Sequence, residues 1–565
     1  MRVGDLLAEM LIEQGVRHVF GVPGGQTRPL YDAIHDRPGR IAHVLMRDER
    51  SGVFAADGYA RITGGLGVCD GTVGPGATNL VSGLAEAKNS SVPVVAIVAD
   101  IPRGWEHLRQ FGNASQGFNQ RPTLEPVSKA YFRVESVEAA ASTFAAAFRT
   151  ALENRRGPVV IEVPDDVFGA DCEDWVAGDT PLRIDTNDVV ADHVQIERAV
   201  ALLRAAKKPV LLVGSGVHDS AAWDALREVA ESLNAPVMST ITGKGAIADT
   251  HPLATGVVGI FGNSGANELF GEADVVFAIG TKLGQLTTFS WNMPRPDQTL
   301  IHLDADPGEI GRVFKPAVRL EGDARATLEV IGELLPPEPS SALDAGWGAP
   351  AVERARLHWL TYNTRMAAEP GMVDPRGVLA AINTAFTASD VLVCDASLSS
   401  GWGAAYFAVQ AAGRHFLAPR GMAGLGWGGP AAIGVQAALG DSARVVCLVG
   451  DGAWGYSLTD VESAVRQNLP VVFIVLNNGM LAWVHHSLVK NDKVMSSEFA
   501  PCDYAKAAEA FGALGVRVQR VAELEGVLQE ALAAGKPVVI DVHSSQMLSP
   551  VLAPPSWMQG NVPRY

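Results

Sequence analysis

Short apolar runs, most of them ending in or interrupted by glycine or an acid, recur along the chain: PVVAIVAD, PVVIEVP, KPVLLVGSG, ADVVFAIGTKL, TLIHLDADP, DVLVCDAS, RVVCLVGDG, PVVFIVLNN and KPVVIDVH. Each has the length and β-branched content of a strand, and Ala-rich helical stretches lie between them. This alternation predicts the α/β class, with doubly wound domains and mostly parallel sheets.

At 565 residues the chain is too long for a single core, and the runs group into three units: 1–170, 190–335 and 365–545. In the first, Val3, Leu6, Leu7, Met10 and Leu11 recur at helical spacing before a strand at HVFGV and a turn at PGG. The acidic stretch DCEDWVAGDTPLRIDTND reads as a linker, and LLPPEPSSALDAGWGAP breaks all periodicity at the second boundary. The Pro-rich tail, 546–565, reads as a coil laid over the body, a candidate active-site lid. No repeated sequence relates the units.

Hydrophobic residues make up 47% of the chain and charged residues 19%, which excludes a disordered or fibrous protein. A net charge of -17 argues against nucleic acid and anionic membrane as partners, since both reward clustered Lys and Arg. Small-molecule chemistry is the expectation. Cys69, Cys172, Cys394, Cys447 and Cys502 show no CxxC spacing and read as reduced core thiols of a cytoplasmic protein. No stretch reaches the roughly 20 apolar residues of a membrane helix.

The strand RVVCLVGDG ends at Gly450, Asp451 and Gly452, and NLPVVFIVLNN returns beside it. Asp451 and Asn478 then meet at the carboxyl edge of neighbouring strands, where open α/β sheets bind ligands. One carboxylate and one amide oxygen suit magnesium shared with a ligand's phosphates better than calcium. Glycines beside the acid would admit those phosphates. By itself a GDG turn serves equally as a plain strand end. A single amphipathic helix is expected after it, with Leu458, Val461, Ala464 and Val465 inward.

GDG, then 24 residues, then NN resembles the signature of the thiamine diphosphate enzymes, and the surrounding text resembles their acetolactate synthase-like superfamily. FGVPGG, DGYAR, GPGATN and GPAAIG stand where that family has them, so the resemblance spans nearly the whole chain. It implies that Asp451, the Asn478 side chain and the Met480 carbonyl bind magnesium, with Ser397, Leu398, Gly450, Gly452 and Ala453 near the diphosphate. Glu49, in VLMRDERSGVF, would hydrogen-bond the aminopyrimidine, with Gly25 and Asn79 close by; by itself an acid in RDER is more often a solvated charge. The family usually has His where Asp48 stands. Leu425, in RGMAGLGWGG, would be the wedge between the cofactor rings, beside Met422 and the Ala423 carbonyl. The resemblance also implies that one subunit supplies the glutamate and another the metal site, hence a homodimer or homotetramer.

Gln26 and Gln116 occupy positions of substrate-side glutamines, and the His pair of the pyruvate decarboxylase type is missing. Trp483, His485 and His486 follow the metal loop, where substrate is expected, and either histidine could move a proton. Acetolactate synthases have a specificity tryptophan where Ser487 stands here, four positions after Trp483. This departure points first to a lyase or carboligase for an acyloin or a 2-hydroxyacyl-CoA thioester, with Glu498, Trp557 and Arg564 closing over it. The alternative is an acetolactate synthase-type, decarboxylating carboligase of 2-keto acids. In the middle unit Gly214, Ser215 and Gly216 begin a dinucleotide fingerprint that Asp219 breaks, while Asp304 and Asp306 follow later. Relatives hold FAD or ADP there, or nothing. More remote classes are an NAD-dependent dehydrogenase, which the broken fingerprint disfavours, and a silent regulatory subunit, which joint retention of Glu49 and Asp451 disfavours.

Overall fold

A computed structural model describes residues 1–173, 175, 189–336, 340–364, 367–490 and 492–558. Among them stand three parallel six-stranded sheets, one in each of three α/β domains. The first contains β1 (His18–Gly21), β2 (Ala42–Leu45), β3 (Gly67–Gly71), β4 (Val94–Asp100), β5 (Ala130–Arg133) and β6 (Val159–Pro164), in the order β2-β1-β3-β4-β6-β5. The second contains β7 (Pro209–Val213), β8 (Val237–Ser239), β9 (Ala254–Val257), β10 (Val275–Ile279), β11 (Thr299–Asp304) and β12 (Val318–Glu321), ordered β12-β11-β10-β7-β8-β9. That is a doubly wound order with its switch point between β7 and β10. The third contains β13 (Val391–Cys394), β14 (Phe416–Leu417), β15 (Val445–Gly450), β16 (Val472–Asn477), β17 (Leu514–Val518) and β18 (Val538–His543), ordered β14-β13-β15-β16-β18-β17. Its order repeats that of the first sheet strand for strand, a kinship that no sequence repeat reveals.

β3, β4, β6, β7, β10 and β16 are buried at every position, as helices on both faces of a parallel sheet require. Each fully buried Leu, Val or Phe among them contributes about 1.5–3 kcal/mol of apolar burial. The helix Val3–Glu13 buries Val3, Leu6, Leu7, Met10 and Leu11, the stripe read from their spacing. The first and third sheets share one apolar core, which joins Phe20 and Phe54 to Trp427 and Trp454. At its centre the helices Glu49–Thr63 and Gly428–Leu439 touch through glycine: a Cβ on Gly58 would lie 2.4 Å from the Ala431 carbonyl oxygen.

Two expectations need correction. The helix after Gly452 is broken into Asp451–Ser457 and Val461–Arg466 by a 3-10 turn, and only Val461 and Ala464 of the expected stripe are fully buried. The backbone leaves helical geometry at Ser457 (φ -128°), and Asp460, in the turn that follows, points inward to accept the Arg47 N–H at 3.1 Å and the Ser51 hydroxyl at 2.7 Å. Cys69, Cys394 and Cys447 are core thiols, but Cys172 is half-buried and Cys502 exposed. In the tail, the Trp557 indole N–H donates to the Asn267 carbonyl and the ring abuts Gly271, so this residue is seated on the central domain. The expected linker falls largely outside the described residues, as does Arg564. No described helix is long and apolar enough to cross a membrane.

Candidate active site

β15 ends at Gly450 and delivers Asp451 to the start of a short helix, while β16 ends beside it at Asn477. The two loops lock together. Asp451 Oδ2 accepts the Gly479 N–H at 2.6 Å and Oδ1 accepts the Gly452 N–H at 2.8 Å. Gly479 has φ +72°, and the Asn478 side-chain oxygen accepts the Met480 N–H at 3.3 Å. An antiparallel bridge from Met480 to Glu498 and a 2.7 Å bond from the Phe499 N–H to the Gly479 carbonyl hold the turn from outside.

Burial pushes the Asp451 carboxyl up to about 6, against the pull of these main-chain N–H groups. Among the described residues no cationic side chain pairs with it, and no cluster of three His, Cys, Asp or Glu could hold a metal by itself. A buried carboxylate without a counter-charge, next to an amide oxygen, fits a hard divalent cation completed by phosphate oxygens.

A cavity of about 400 Å³ opens at this point. Of the sequence-derived candidates, Ser397, Leu398, Ala423, Leu425, Gly450, Asp451, Gly452 and Ala453 line it. Asn478, Met480 and Trp483 complete the set. Ser397 (φ +66°) and Ala423 (φ +54°) hold left-handed backbone where their loops turn toward the cavity. Such strain in residues other than glycine persists only where surrounding contacts impose it. For Ala423 those contacts are visible. Glu86, from the N-terminal domain, accepts the N–H groups of Gly421 (2.8 Å), Met422 (2.6 Å) and Ala423 (2.9 Å). Burial opposes ionisation of Glu86, but Arg61 and these main-chain donors outweigh it and hold its carboxyl below the ordinary range. Asp395 clamps the other end of the loop, accepting from Gly426 at 3.1 Å and Gly428 at 2.6 Å. Met422 itself turns outward and lines a neighbouring cavity.

Glu49 lies in a second cluster. It opens the helix Glu49–Thr63 directly after β2, is buried, and accepts the Asn79 amide at 2.9 Å. Asp48, at the position of the family's histidine, caps that helix through the Arg50 N–H. Gly76 packs against the Glu49 carboxylate, the Thr72 hydroxyl bonds Gln26 at 3.2 Å, and Gln116 (φ +61°) lies over Gly74. A side chain on Gly74 would strike the Gln116 main chain. Gly25 stands in the turn between β1 and the helix Arg28–His35. None of these residues lines the Asp451 cavity.

Three candidates stand elsewhere. Trp483 enters the cavity, but His485, about 200° further round the same helix, bonds the Ser497 hydroxyl at 3.1 Å. His486 bonds the Gln546 carbonyl at 2.6 Å. Glu498 is exposed and faces His485 at 3.8 Å. The two histidines and Glu498 are therefore not among the groups that line the cavity, because loop contacts turn them away. In the central domain Asp219, which breaks the fingerprint, pairs with Arg414. A cavity of about 310 Å³ nevertheless lies at the β7/β10 switch point, with Ser215, Gly216, Lys282 and Asp304 on its wall.

Sequence reading missed Glu86, Asp395, Asp460 and Arg420. Asp395 ends a strand run, as Asp451 does, and that signal could have found it. Glu86 sits in an Ala-rich helix with nothing to mark it.

The chain matches three family models: the N-terminal TPP binding domain of thiamine pyrophosphate enzymes over residues 1–122, their central domain over 196–331 and their C-terminal TPP binding domain over 395–542. It is 32% identical to a probable acetolactate synthase large subunit of Methanococcus aeolicus, over 100% of this chain and 95% of that one. The acetolactate synthase isozyme 3 large subunit of Escherichia coli is 33% identical over 94% of this chain and 92% of its own. For the isozyme 2 large subunit of the same organism the values are 31%, 97% and 96%.

Proposed function

Because the chain belongs to the thiamine pyrophosphate enzymes, we propose that it is a magnesium-dependent carboligase of the acetolactate synthase type, joining two 2-keto acids with loss of one carbon dioxide. That it is an enzyme acting on carbon–carbon bonds with thiamine diphosphate follows from the family. The acetolactate reading, second in the sequence analysis, is favoured over the acyloin or 2-hydroxyacyl-CoA lyase by the relatives, which are named acetolactate synthase large subunits across almost the whole chain.

The observation that carries it is the single cavity in which the Asp451, Asn478 and Met480 oxygens adjoin Ala423, Leu425 and Trp483. Asp451, Asn478 and the Met480 carbonyl would hold the cation and, through it, the diphosphate. Thiamine diphosphate, when bound, supplies the electron sink that the donor's carbon–carbon cleavage requires. Leu425 would shape the bound conformation, and the apolar wall of Leu481, Trp483 and Leu548 would keep water from the reacting carbons. Glu49 would exchange a proton with the aminopyrimidine.

Since the Glu49 cluster and the Asp451 cavity are separate within one chain, we assign Glu49 of one copy to the cavity of another in a homodimer or a pair of dimers. Apolar side chains left exposed near both halves, among them Phe111, Met422 and Phe499, favour such an interface. For the central crevice, Arg155, Arg156 and Lys282 offer charge for the diphosphate of an ADP or FAD; the absorbance of purified protein near 450 nm reads out the flavin. Mass spectrometry of products from pyruvate, benzoin and a short 2-hydroxyacyl-CoA separates the two carboligase readings. A 2-hydroxy-3-keto acid from pyruvate supports the first, and cleavage of benzoin or the thioester alone supports the second.

A further inference from the structure

The peptide group between Asn478 and Gly479 is held at both ends. Its N–H donates to Asp451 at 2.6 Å, and its carbonyl oxygen accepts the Gln546 side-chain amide at 2.9 Å. Gln546 stands just beyond β18, in a stretch that meets the same turn a second time: the Ser544 N–H donates to the Asn477 carbonyl at 3.0 Å. Ser544, Ser545 and Leu548 of this stretch lie on the wall of the Asp451 cavity, whereas Gln546 and Met547 are exposed.

The stretch is itself fastened. Glu369, in the loop that leads into the helix Pro375–Ala385, accepts the Ser545 hydroxyl and the N–H groups of Gln546 (3.0 Å) and Met547 (2.9 Å). Burial opposes ionisation of Glu369, but these donors outweigh it and hold its carboxyl below the ordinary range. The Val373 carbonyl, from the same loop, accepts the Ser545 N–H at 2.9 Å, and His486 donates to the Gln546 carbonyl at 2.6 Å. Both main-chain polar groups of Gln546 are thus taken up, so its side chain reaches Asn478 from a fixed base at a reduced entropic cost.

Such a hold matters at this turn. Gly479 has φ +72° and no Cβ, so the peptide before it can turn over at little steric cost. In the flipped state the Asn478 carbonyl would face the Asp451 carboxylate. Asp451 opposes that flip while its lone pairs are free, but a bound cation competes for them and loosens the grip on the Gly479 N–H. The Gln546 bond lies at the other end of the peptide and keeps its strength.

Resting on the reading of Asp451, Asn478 and the Met480 carbonyl as cation ligands, we infer that Gln546 is a positioning residue for the metal site. By gripping the Asn478 carbonyl it fixes the peptide from which the Asn478 side chain and Met480 are presented. Gln546 is not on the cavity wall and acts through the turn alone. Glu369 stands one step further out and acts through Gln546.

The test is the magnesium affinity of the full chain with saturating thiamine diphosphate, read by calorimetry. Gln546→Met keeps the length of the side chain and removes the N–H. It should weaken magnesium about tenfold, leave the unfolding midpoint of metal-free protein where wild type has it, and keep kcat at saturating magnesium within about threefold. Glu369→Ala should weaken magnesium by a similar factor, and the double variant should bind no more weakly than the worse single one, since both act through one bond. Unchanged affinity in Gln546→Met, or a loss accompanied by a lower midpoint of the metal-free protein, would overturn the assignment. Additive losses would remove Glu369 from it. Wild-type protein that binds no magnesium would instead contradict the cation reading. The hold on the peptide is read on its own by hydrogen exchange over residues 477–481 in metal-free protein: faster exchange in Gln546→Met supports it, and equal exchange overturns it.

Discussion

Gly434 lies so close to Ala55 that a Cβ on the glycine would sit 1.9 Å from the Ala55 carbonyl oxygen. This contact joins the helix that opens with Glu49 to the helix that follows the Leu425 loop, and so couples the two halves of the candidate site. Gly434→Ala is expected to destabilise by about 1–3 kcal/mol through overpacking, read as a lower denaturation midpoint. An unchanged midpoint would mean that the helices can part at no cost.

Glu49 and Asp451 act from different copies in our account. Glu49→Gln should keep cofactor binding and lose roughly 10²–10⁴-fold in turnover, and Asp451→Ala should lose metal and cofactor together. Mixing the two inactive variants under conditions that exchange subunits should restore activity, since one of the two sites in a mixed dimer then has both groups. No recovery from mixed dimers isolated by dual tags would place both groups in one chain.

Asp460 makes stability depend on pH in a definite direction. Burial pushes its carboxyl from 3.8 up to about 6 in the folded chain. Below 3.8 it is protonated in both states; as pH rises toward 6 the unfolded chain ionises first, so the folded state loses stability, and the loss is complete above about 6. Asp460→Asn removes this titration. Between pH 4 and 7 the variant should gain on wild type by about 1–3 kcal/mol, measured as the change in their stability difference. A constant difference would contradict the buried, raised carboxyl.

His485 and His486 bond to Ser497 and to the Gln546 carbonyl rather than face the cavity. Replacing either by Ala should leave kcat within about threefold, whereas removal of a true general base costs 10²-fold or more. A large loss in a variant that still binds cofactor would return a catalytic role to that histidine.

Much of the fold is legible because a parallel strand buried on both faces is mostly apolar, and β7 and β10 read as such in the bare sequence. The Asp451 turn is legible for a related reason: the site sits at strand ends, where glycines and acids interrupt apolar runs. What escapes are groups whose partners are remote in the chain. Glu86 and Gly421 are 335 residues apart, and Ser51 and Asp460 are 409 apart, so neither local pattern nor periodicity signals the bond. Asp460 stands in the turn that interrupts a helix its own neighbourhood would continue. His485 stands two positions from Trp483 in sequence, yet those two positions set it on the far side of one helix, where it bonds Ser497.

The most direct test of the account is the stoichiometry of pyruvate consumption by enzyme loaded with magnesium and thiamine diphosphate. We expect one CO2 released and one acetolactate formed for every two molecules of pyruvate, with both lost in Asp451→Ala. Wild-type enzyme that binds the cofactor and releases no CO2 from pyruvate, yet splits an acyloin or a 2-hydroxyacyl-CoA, would contradict it.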